Sequence, residues 1–442
     1  MSFIIIFLNV LLTFILLWNA TKNKRLIQYL PTLCWFSFII IPLIFSWTYF
    51  PVPARNMQAI GATLISIALA IGDRHGITKE IRPLRNFSQF KYQKILVSAL
   101  VFILILIPIY HYYKVGYIPL LNRLFGDYSP IELRDQRENF NKFALPFVFS
   151  VISNHMINIV APLLIGILSY LKKYYLSVSV FFWVVFYSLS SNQKGSFIVF
   201  VSSVLMVLAF LQTEKQRNIL AKLFGSAFLA TILFGILHSN SMIKNVDRCP
   251  LPIGANYSPA NINRSCEKVV FDEIKTFFVI DSIGYRVFLT PVEVSNNWYR
   301  YYSEPKNSFR SVSDLLDRNL SSSAANRVGI EYYQRIFPDR YGTSVSAYSS
   351  IDSDAYSFGG LFLVFLVAIV LLIIRLSISA GIRSNFMIAR ILFAIGLTHI
   401  TLMPWQSSIQ AILFSQGLFL IILLIFLSSK IGNSERLFFT NN

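Results

Sequence analysis

Residues 95–112 read ILVSALVFILILIPIYHY, a run without a single Asp, Glu, Lys or Arg. A helix needs about 20 apolar residues to cross the hydrocarbon core of a bilayer, and runs of similar size recur along the whole chain. Of the 442 residues, 55% are hydrophobic and only 14% are charged, whereas soluble domains carry about 25% charged residues. The sequence therefore predicts an all-α polytopic membrane protein, because a membrane barrel would show short alternating segments instead.

The apolar runs predict about eleven transmembrane helices, with a range of about 10–12. They lie at 3–18, 31–50, 57–72, 95–112, 147–171, 175–190, 196–212, 220–238, 356–374, 386–404 and 409–428. The chain then divides into three predicted parts. Residues 1–238 hold eight spans and an exterior loop at about 113–146, residues 239–355 form a large helical exterior loop, and residues 356–442 hold three spans and a short tail.

The basic residues concentrate on one predicted side of the membrane. Loops near 19–30, 73–94, 172–174, 213–222, 375–390 and the C-terminus together hold 19 Lys/Arg and 4 Asp/Glu, a difference of +15. The other side holds 20 and 17, a difference of +3. The positive-inside rule makes the first side cytoplasmic, so we expect the N-terminus outside and the C-terminus in the cytoplasm. The charge thus reflects topology, and no nucleic-acid partner is expected.

The large exterior loop is rich in arginine and aromatic residues. Residues 239–355 contain nine Arg, four Lys and 13 Asp/Glu, so the loop is neutral overall. Arginine presents a planar fork of donors that suits phosphate oxygens, and aromatic faces stack on sugar rings. This composition predicts a site for a phosphate-linked, glycosylated lipid. Surface salt bridges between residues four apart, such as Arg327 and Glu331, are the alternative explanation for the charges.

Two shorter exterior loops also carry cations. Arg134 and Arg137 share a face of a predicted surface helix at 131–140, where they either form ion pairs or contact phosphate. Lys194 lies in a tight turn, where it either contacts phosphate or extends to the membrane interface. His155 is a possible acid or base, or a polar residue between helices. Asp352 and Asp354 form a weak metal-binding pattern, and no metal is expected.

Cys249 and Cys266 both fall in the large exterior loop. The chain between them is rich in Pro, Asn and Gly, and an exterior compartment is oxidising. The pair is therefore a candidate disulfide that would close this part of the loop, because a metal site would need more ligands nearby.

Four stretches, in this order and topology, resemble the O-antigen polymerases (Wzy), also called oligosaccharide repeat unit polymerases. They are GYIPLL at 116–121, SNQKGS at 191–196, IGYRVFLTPVEV at 283–294 and FPDRYGTSVSAYSSIDSDAYSFGGLFLV at 337–364. The second stretch differs from the family in one respect, since Lys194 stands where members often carry arginine. The layout of spans and loops extends the resemblance over the whole chain.

The resemblance implies a membrane glycosyltransferase at the periplasmic face of a bacterial inner membrane. It would move a growing glycan from one undecaprenyl pyrophosphate carrier onto the terminal sugar of a newly delivered lipid-linked repeat unit. A chain-length regulator and a flippase would be its protein partners, and no cofactor is expected. An O-antigen ligase and a lipid-linked oligosaccharide flippase remain alternatives, although transporters place polar groups at mid-membrane.

The chemistry of this reaction suggests roles for individual residues. Cleavage at a sugar–pyrophosphate bond releases a charged leaving group that arginines can stabilise, and the acceptor hydroxyl needs a base. The expected catalytic residues are Arg286, Arg327, Arg340, Glu293 and Glu331. The expected substrate-binding residues are Arg134, Arg137, Lys194, Arg318, Arg335, Tyr332, Tyr333 and Tyr341, with Trp298 as a further aromatic candidate.

Overall fold

The computed structural model describes residues 11, 29–45, 52–76, 93–126, 132, 136, 139–140, 147–190, 195–211, 290–303, 308–310, 350–384, 386–405 and 407–439. These residues are helical apart from short connections, and none of them forms a strand. The predicted all-α class is therefore confirmed for the described part of the chain.

Eleven helices are numbered here in chain order. In the first part of the chain, three of them are continuous α-helices: α2 (Val52–Gly76), α3 (Gln93–Val115) and α4 (Pro119–Phe125). Helix α1 comprises Leu30–Trp35, a π-helical Phe36–Ile40 and Ile41–Phe45, and α5 comprises Phe147–His155, a π-helical Met156–Val160 and Ala161–Tyr170. The others are α6 (Tyr174–Ser190), α7 (Gly195–Leu211), α8 (Thr290–Ser303), α9 (Ile351–Arg383), α10 (Met387–Leu402) and α11 (Leu418–Phe439), the last preceded by a π-helical Ala411–Ser415.

Four of the described helices are long and apolar enough to cross a membrane. They are Pro53–His75, Lys94–Val115, Val151–Tyr170 and Ile351–Arg383. Shorter apolar helices match five more predicted spans, whereas the predicted spans at 3–18 and 220–238 lie almost entirely outside the described residues. The total of about eleven spans, the orientation and the periplasmic loop remain predictions.

Helix α9 differs most from its predicted span of 356–374. It begins at Ile351 and continues to Arg383, so part of the predicted cytoplasmic loop at 375–390 is helical. The helix is broken at Gly360, whose φ of 63° and ψ of −154° belong to a region that only glycine occupies readily. The break separates a short polar segment at 351–358 from the apolar helix that follows.

The described residues belong to two compact units. The first comprises Met1–Arg74, Leu229–Ile373 and Thr401–Ile409. In it, the Trp35 indole donates a 2.9 Å hydrogen bond to the Ala62 carbonyl, which joins α1 to α2. The buried Asp73 accepts hydrogen bonds from the Thr32 hydroxyl at 2.7 Å and from the Thr32 backbone N–H at 3.2 Å.

The second unit comprises His75–Phe228, Ile374–Ile400 and Gln410–Asn442. Its core is formed by α5, whose residues 161–169 are all buried. Gly166 allows close packing, because a Cβ there would lie 2.7 Å from Val207 and 3.0 Å from Ile391. A small residue at this position thus lets α5, α7 and α10 approach one another closely.

Candidate functional site

Helix α8 carries polar residues inward. Pro291 lies in its first turn, as expected for a residue that cannot supply a helical N–H. Gln58 of α2 is fully buried, donates a 3.0 Å hydrogen bond to the Val292 carbonyl and accepts a 2.9 Å bond from the Asn296 amide. These bonds fix part of the predicted exterior loop against α2.

Asp352, in the first turn of α9, is a buried carboxylate with both oxygens bonded. Tyr299 of α8 donates a 3.0 Å hydrogen bond to Oδ2, and the Ser350 hydroxyl donates to Oδ1. The Ser350 hydroxyl also lies 2.7 Å from that of Ser295 on α8. Each carboxylate oxygen thus has a partner, and the network holds α8 against α9.

Tyr299 fits this network closely. A Cβ added to Gly61 of α2 would overlap the Tyr299 hydroxyl. Burial raises the pKa of Tyr299 well above its ordinary value, and the negative charge of Asp352 raises that pKa further. The hydroxyl therefore remains protonated and acts as the donor to Asp352.

Asp354, two residues further, is bonded on one side only. Its Oδ1 accepts a 3.0 Å hydrogen bond from Nη1 of Arg310, and the two side chains are 7% and 9% exposed. The same Arg310 nitrogen donates to the Ser357 hydroxyl at 3.2 Å, and the Arg310 backbone N–H donates to the Ser357 carbonyl at 2.8 Å. An arginine of the predicted exterior loop is thus held at the head of α9.

Aromatic rings surround this guanidinium. Its carbon lies 4.1 Å from the centre of the Phe358 ring and 5.3 Å from that of Trp298. Trp298, Arg310, Asp354, Ser357 and Phe358 are called the Arg310 cluster below. Phe309, on the preceding position, is 47% exposed and lies near Tyr356.

Three buried polar atoms of the Arg310 cluster have no hydrogen-bond partner within the described part of the chain. They are Nε1 of Trp298, Nε of Arg310 and Oδ2 of Asp354. A buried polar group without a partner costs about 1–3 kcal/mol, and such groups in folded proteins call for an explanation. A partner for all three atoms would have to supply one donor and two acceptors.

The second unit holds its own polar cluster. His155 Nε2 lies 2.8 Å from the Phe414 carbonyl, and the Asn158 amide donates a 2.7 Å bond to Gln416. Gly417, with a φ of 80°, lies against the His155 ring. His155 is thus a polar residue between helices in this structure, which is one of the two roles expected for it.

Most of the predicted site residues lie outside the described residues. These are Arg134, Arg137, Lys194, Arg286, Arg318, Arg327, Glu331, Tyr332, Tyr333, Arg335, Arg340, Tyr341, Cys249 and Cys266. Glu293 lies in α8, where the backbone alone is described. Their roles therefore remain predictions.

The residues that the structure does bring together received little weight from sequence alone. Arg310 is one of seven arginines between Tyr285 and Tyr341, and the Asp352–Asp354 pattern pointed weakly to a metal. The structure instead gives the two carboxylates different protein partners, and no group of three His, Cys, Asp or Glu side chains suited to a metal occurs among the described residues. The available signal was the Ser-Ile-Asp-Ser-Asp run directly before an apolar helix.

Comparison of the chain with protein-family models, with curated proteins and with solved structures finds no match.

Proposed function

We propose that the chain is an O-antigen polymerase, a membrane glycosyltransferase that joins undecaprenyl-pyrophosphate-linked repeat units. The observation that carries the proposal is the Arg310 cluster, in which an arginine of the predicted exterior loop is held among aromatic rings at the head of an apolar helix. Aromatic rings beside polar side chains suit the glycan part of a lipid-linked substrate, and the other arginines of the loop are the candidates for its pyrophosphate.

The proposed reaction takes place at the periplasmic face of the inner membrane. The anomeric carbon–oxygen bond to pyrophosphate breaks, a bond forms to a hydroxyl of the acceptor repeat unit, and undecaprenyl pyrophosphate leaves. Arg286, Arg327 and Arg340 stabilise the charge on the leaving group. Glu293 or Glu331 takes the proton from the acceptor hydroxyl. The reaction balances without a redox partner or a nucleotide sugar.

The helix α8 supports this proposal in a second way. It begins at Thr290, within the IGYRVFLTPVEV stretch at 283–294, and its hydrogen bonds to Gln58 and Asp352 fix its position against α2 and α9. In the proposed reaction this fixed helix positions the chain that leads to Arg286, and positioning of reacting groups lowers a barrier substantially.

A lipopolysaccharide ladder tests the function in the host strain. Deletion of the gene should reduce O-antigen to single repeat units on lipid A–core, and the wild-type chain should restore long chains. Arg286→Ala should fail to restore them at normal membrane abundance. Arg300→Ala, which changes an exposed arginine of α8, should restore the ladder and serves as the matched control.

Three results would speak against the proposal. Long chains in the deletion strain would exclude the polymerase function. Accumulation of free polymer that is not attached to lipid A–core would indicate a ligase. Full restoration of the ladder by Arg286→Ala would remove that residue from the mechanism.

A further inference from the structure

We propose that the Arg310 cluster binds a sugar residue of the glycan, not the pyrophosphate. The inference rests on the proposed function for the identity of the glycan. The steps below follow from the charge, the open polar atoms and the surroundings of the cluster.

The net charge of the Arg310 cluster favours a neutral ligand. The Arg310 guanidinium is paired with the Asp354 carboxylate at 3.0 Å, so the pair is neutral as a unit. A pyrophosphate placed here would have to displace Asp354 or lie beside its negative charge, and like charges at close range in a partly dry site are strongly unfavourable. A neutral ligand meets no such penalty.

The open polar atoms are the second argument. Trp298 Nε1 and Arg310 Nε are donors, whereas Asp354 Oδ2 is an acceptor. A phosphate oxygen can only accept hydrogen bonds, so it satisfies the donors and leaves the carboxylate oxygen bare. A sugar hydroxyl both donates and accepts, so the hydroxyls of a sugar match all three atoms in kind.

The aromatic surroundings are the third argument. Phe309 is 47% exposed and precedes Arg310, and its ring lies 6.5 Å from that of Tyr302 in a stacked arrangement. An exposed aromatic face beside mixed donors and acceptors is a surface on which the apolar face of a sugar ring packs.

A ligand reaches the buried polar atoms of the Arg310 cluster only if the chain beside them moves. The three open atoms are buried, and residues 308–310 form the irregular segment beside them. This segment is tied to α9 by the Arg310 bonds to Asp354 and Ser357. Binding of a hydroxyl-bearing ring next to Phe309 therefore requires residues 308–310 to shift away from Trp298 while the Arg310–Asp354 pair is kept.

Binding to the purified full-length chain in lipid nanodiscs tests the inference. One probe is the repeat-unit oligosaccharide released from the host lipopolysaccharide, which carries no phosphate at its reducing end. The other probe is undecaprenyl pyrophosphate without sugar. Trp298→Phe keeps the ring and removes one donor, and it should raise the Kd for the oligosaccharide about 5- to 10-fold while changing that for undecaprenyl pyrophosphate less than twofold.

Trp183→Phe is the matched control. The Trp183 indole donates a 2.8 Å bond to the Leu104 carbonyl, so it already has a partner in the protein. This variant should bind the oligosaccharide like the wild type. Asp354→Asn keeps the shape of the side chain but removes both the open acceptor and the charge paired with Arg310, so it should weaken oligosaccharide binding at least as much as Trp298→Phe.

Two outcomes overturn the inference. If Trp298→Phe and Asp354→Asn bind the oligosaccharide like the wild type, the cluster is structural. If both variants alter only the binding of undecaprenyl pyrophosphate, the cluster is a phosphate site. Neither result affects the ladder experiment, and a chain that binds the oligosaccharide through this cluster but forms no polymer would refute the proposed function alone.

Discussion

The contact between Gly61 and Tyr299 predicts a specific rescue between two substitutions. Gly61→Ala adds a Cβ that overlaps the Tyr299 hydroxyl. Tyr299 is fully buried between α2 and Asp352, to which its hydroxyl is bonded. Overpacking of a core costs about 1–3 kcal/mol, and the loss of the hydrogen bond to a buried carboxylate costs about 1–3 kcal/mol. Against this, alanine is favoured over glycine in a helix by about 1 kcal/mol.

Gly61→Ala should therefore lower the free energy of unfolding by about 2–4 kcal/mol. Tyr299→Phe should lower it by about 1–3 kcal/mol, because Asp352 Oδ2 loses its donor. In the Tyr299→Phe background the nearest atoms to the new Cβ are the ring carbon Cζ at 3.1 Å and Asp352 Oδ2 at 3.4 Å. Gly61→Ala should then cost only about 0–2 kcal/mol, because the 3.1 Å contact is still tight whereas alanine is the better helix former.

A double-mutant cycle measures this coupling. Unfolding of the four purified chains by a denaturing detergent should give a coupling energy of about 1–2 kcal/mol in the direction of rescue. Equal destabilisation by Gly61→Ala in both backgrounds would show that Tyr299 does not lie over Gly61, and the packing of α8 on α2 would be wrong.

Three further predictions concern separate contacts. First, because the pKa of Tyr299 is raised, the folded chain retains a proton that the unfolded chain releases above about pH 10. The free energy of unfolding should therefore decrease as the pH rises above that value. In unfolding titrations, Tyr299→Phe should make this decrease smaller. Second, Gly417→Ala should destabilise the chain by about 2–4 kcal/mol, because the φ of Gly417 is 80° and a Cβ there would lie 2.5 Å from the core residue Ile159. Gly116 has a φ of 75° but open space around it, so Gly116→Ala should cost only about 1–2 kcal/mol. Equal losses of stability in thermal unfolding would contradict the packing around Gly417. Third, Thr32→Val should lower the free energy of unfolding by about 1–3 kcal/mol, because it removes the 2.7 Å hydrogen bond to Asp73. Thr32→Ser keeps the hydroxyl and should therefore lose much less stability. A Thr32→Val chain as stable as the wild type would refute the contact.

The helical class was predictable because it depends on composition and run length alone. Apolar runs such as 95–112 determine that segments are helices, and the described helices coincide with nine of the predicted spans. The exact start of α9 was not predictable from hydropathy. Its first turn is polar, and it is helical because Asp352 and its neighbours find partners on α8, which is distant in sequence.

The candidate site was predictable only in kind. Sequence marked the exterior loop as rich in arginine and aromatic residues, and Arg310 and Trp298 belong to that loop, whereas Phe358 lies in the predicted span at 356–374. It did not distinguish Arg310 from six similar arginines, because the distinction depends on a partner, Asp354, that lies 44 residues away in the chain. Likewise, the sequence did not show that both carboxylate oxygens of Asp352 would accept hydrogen bonds whereas Oδ2 of Asp354 would have no partner among the described residues.

Reconstitution tests the proposed function most directly. The purified chain is placed in vesicles with undecaprenyl-pyrophosphate-linked repeat units as the only glycan, without lipid A–core. We expect a ladder of longer lipid-linked glycans and the release of one undecaprenyl pyrophosphate for each bond formed. Repeat units that remain single, or that are consumed only when lipid A–core is added, would contradict the assignment as a polymerase.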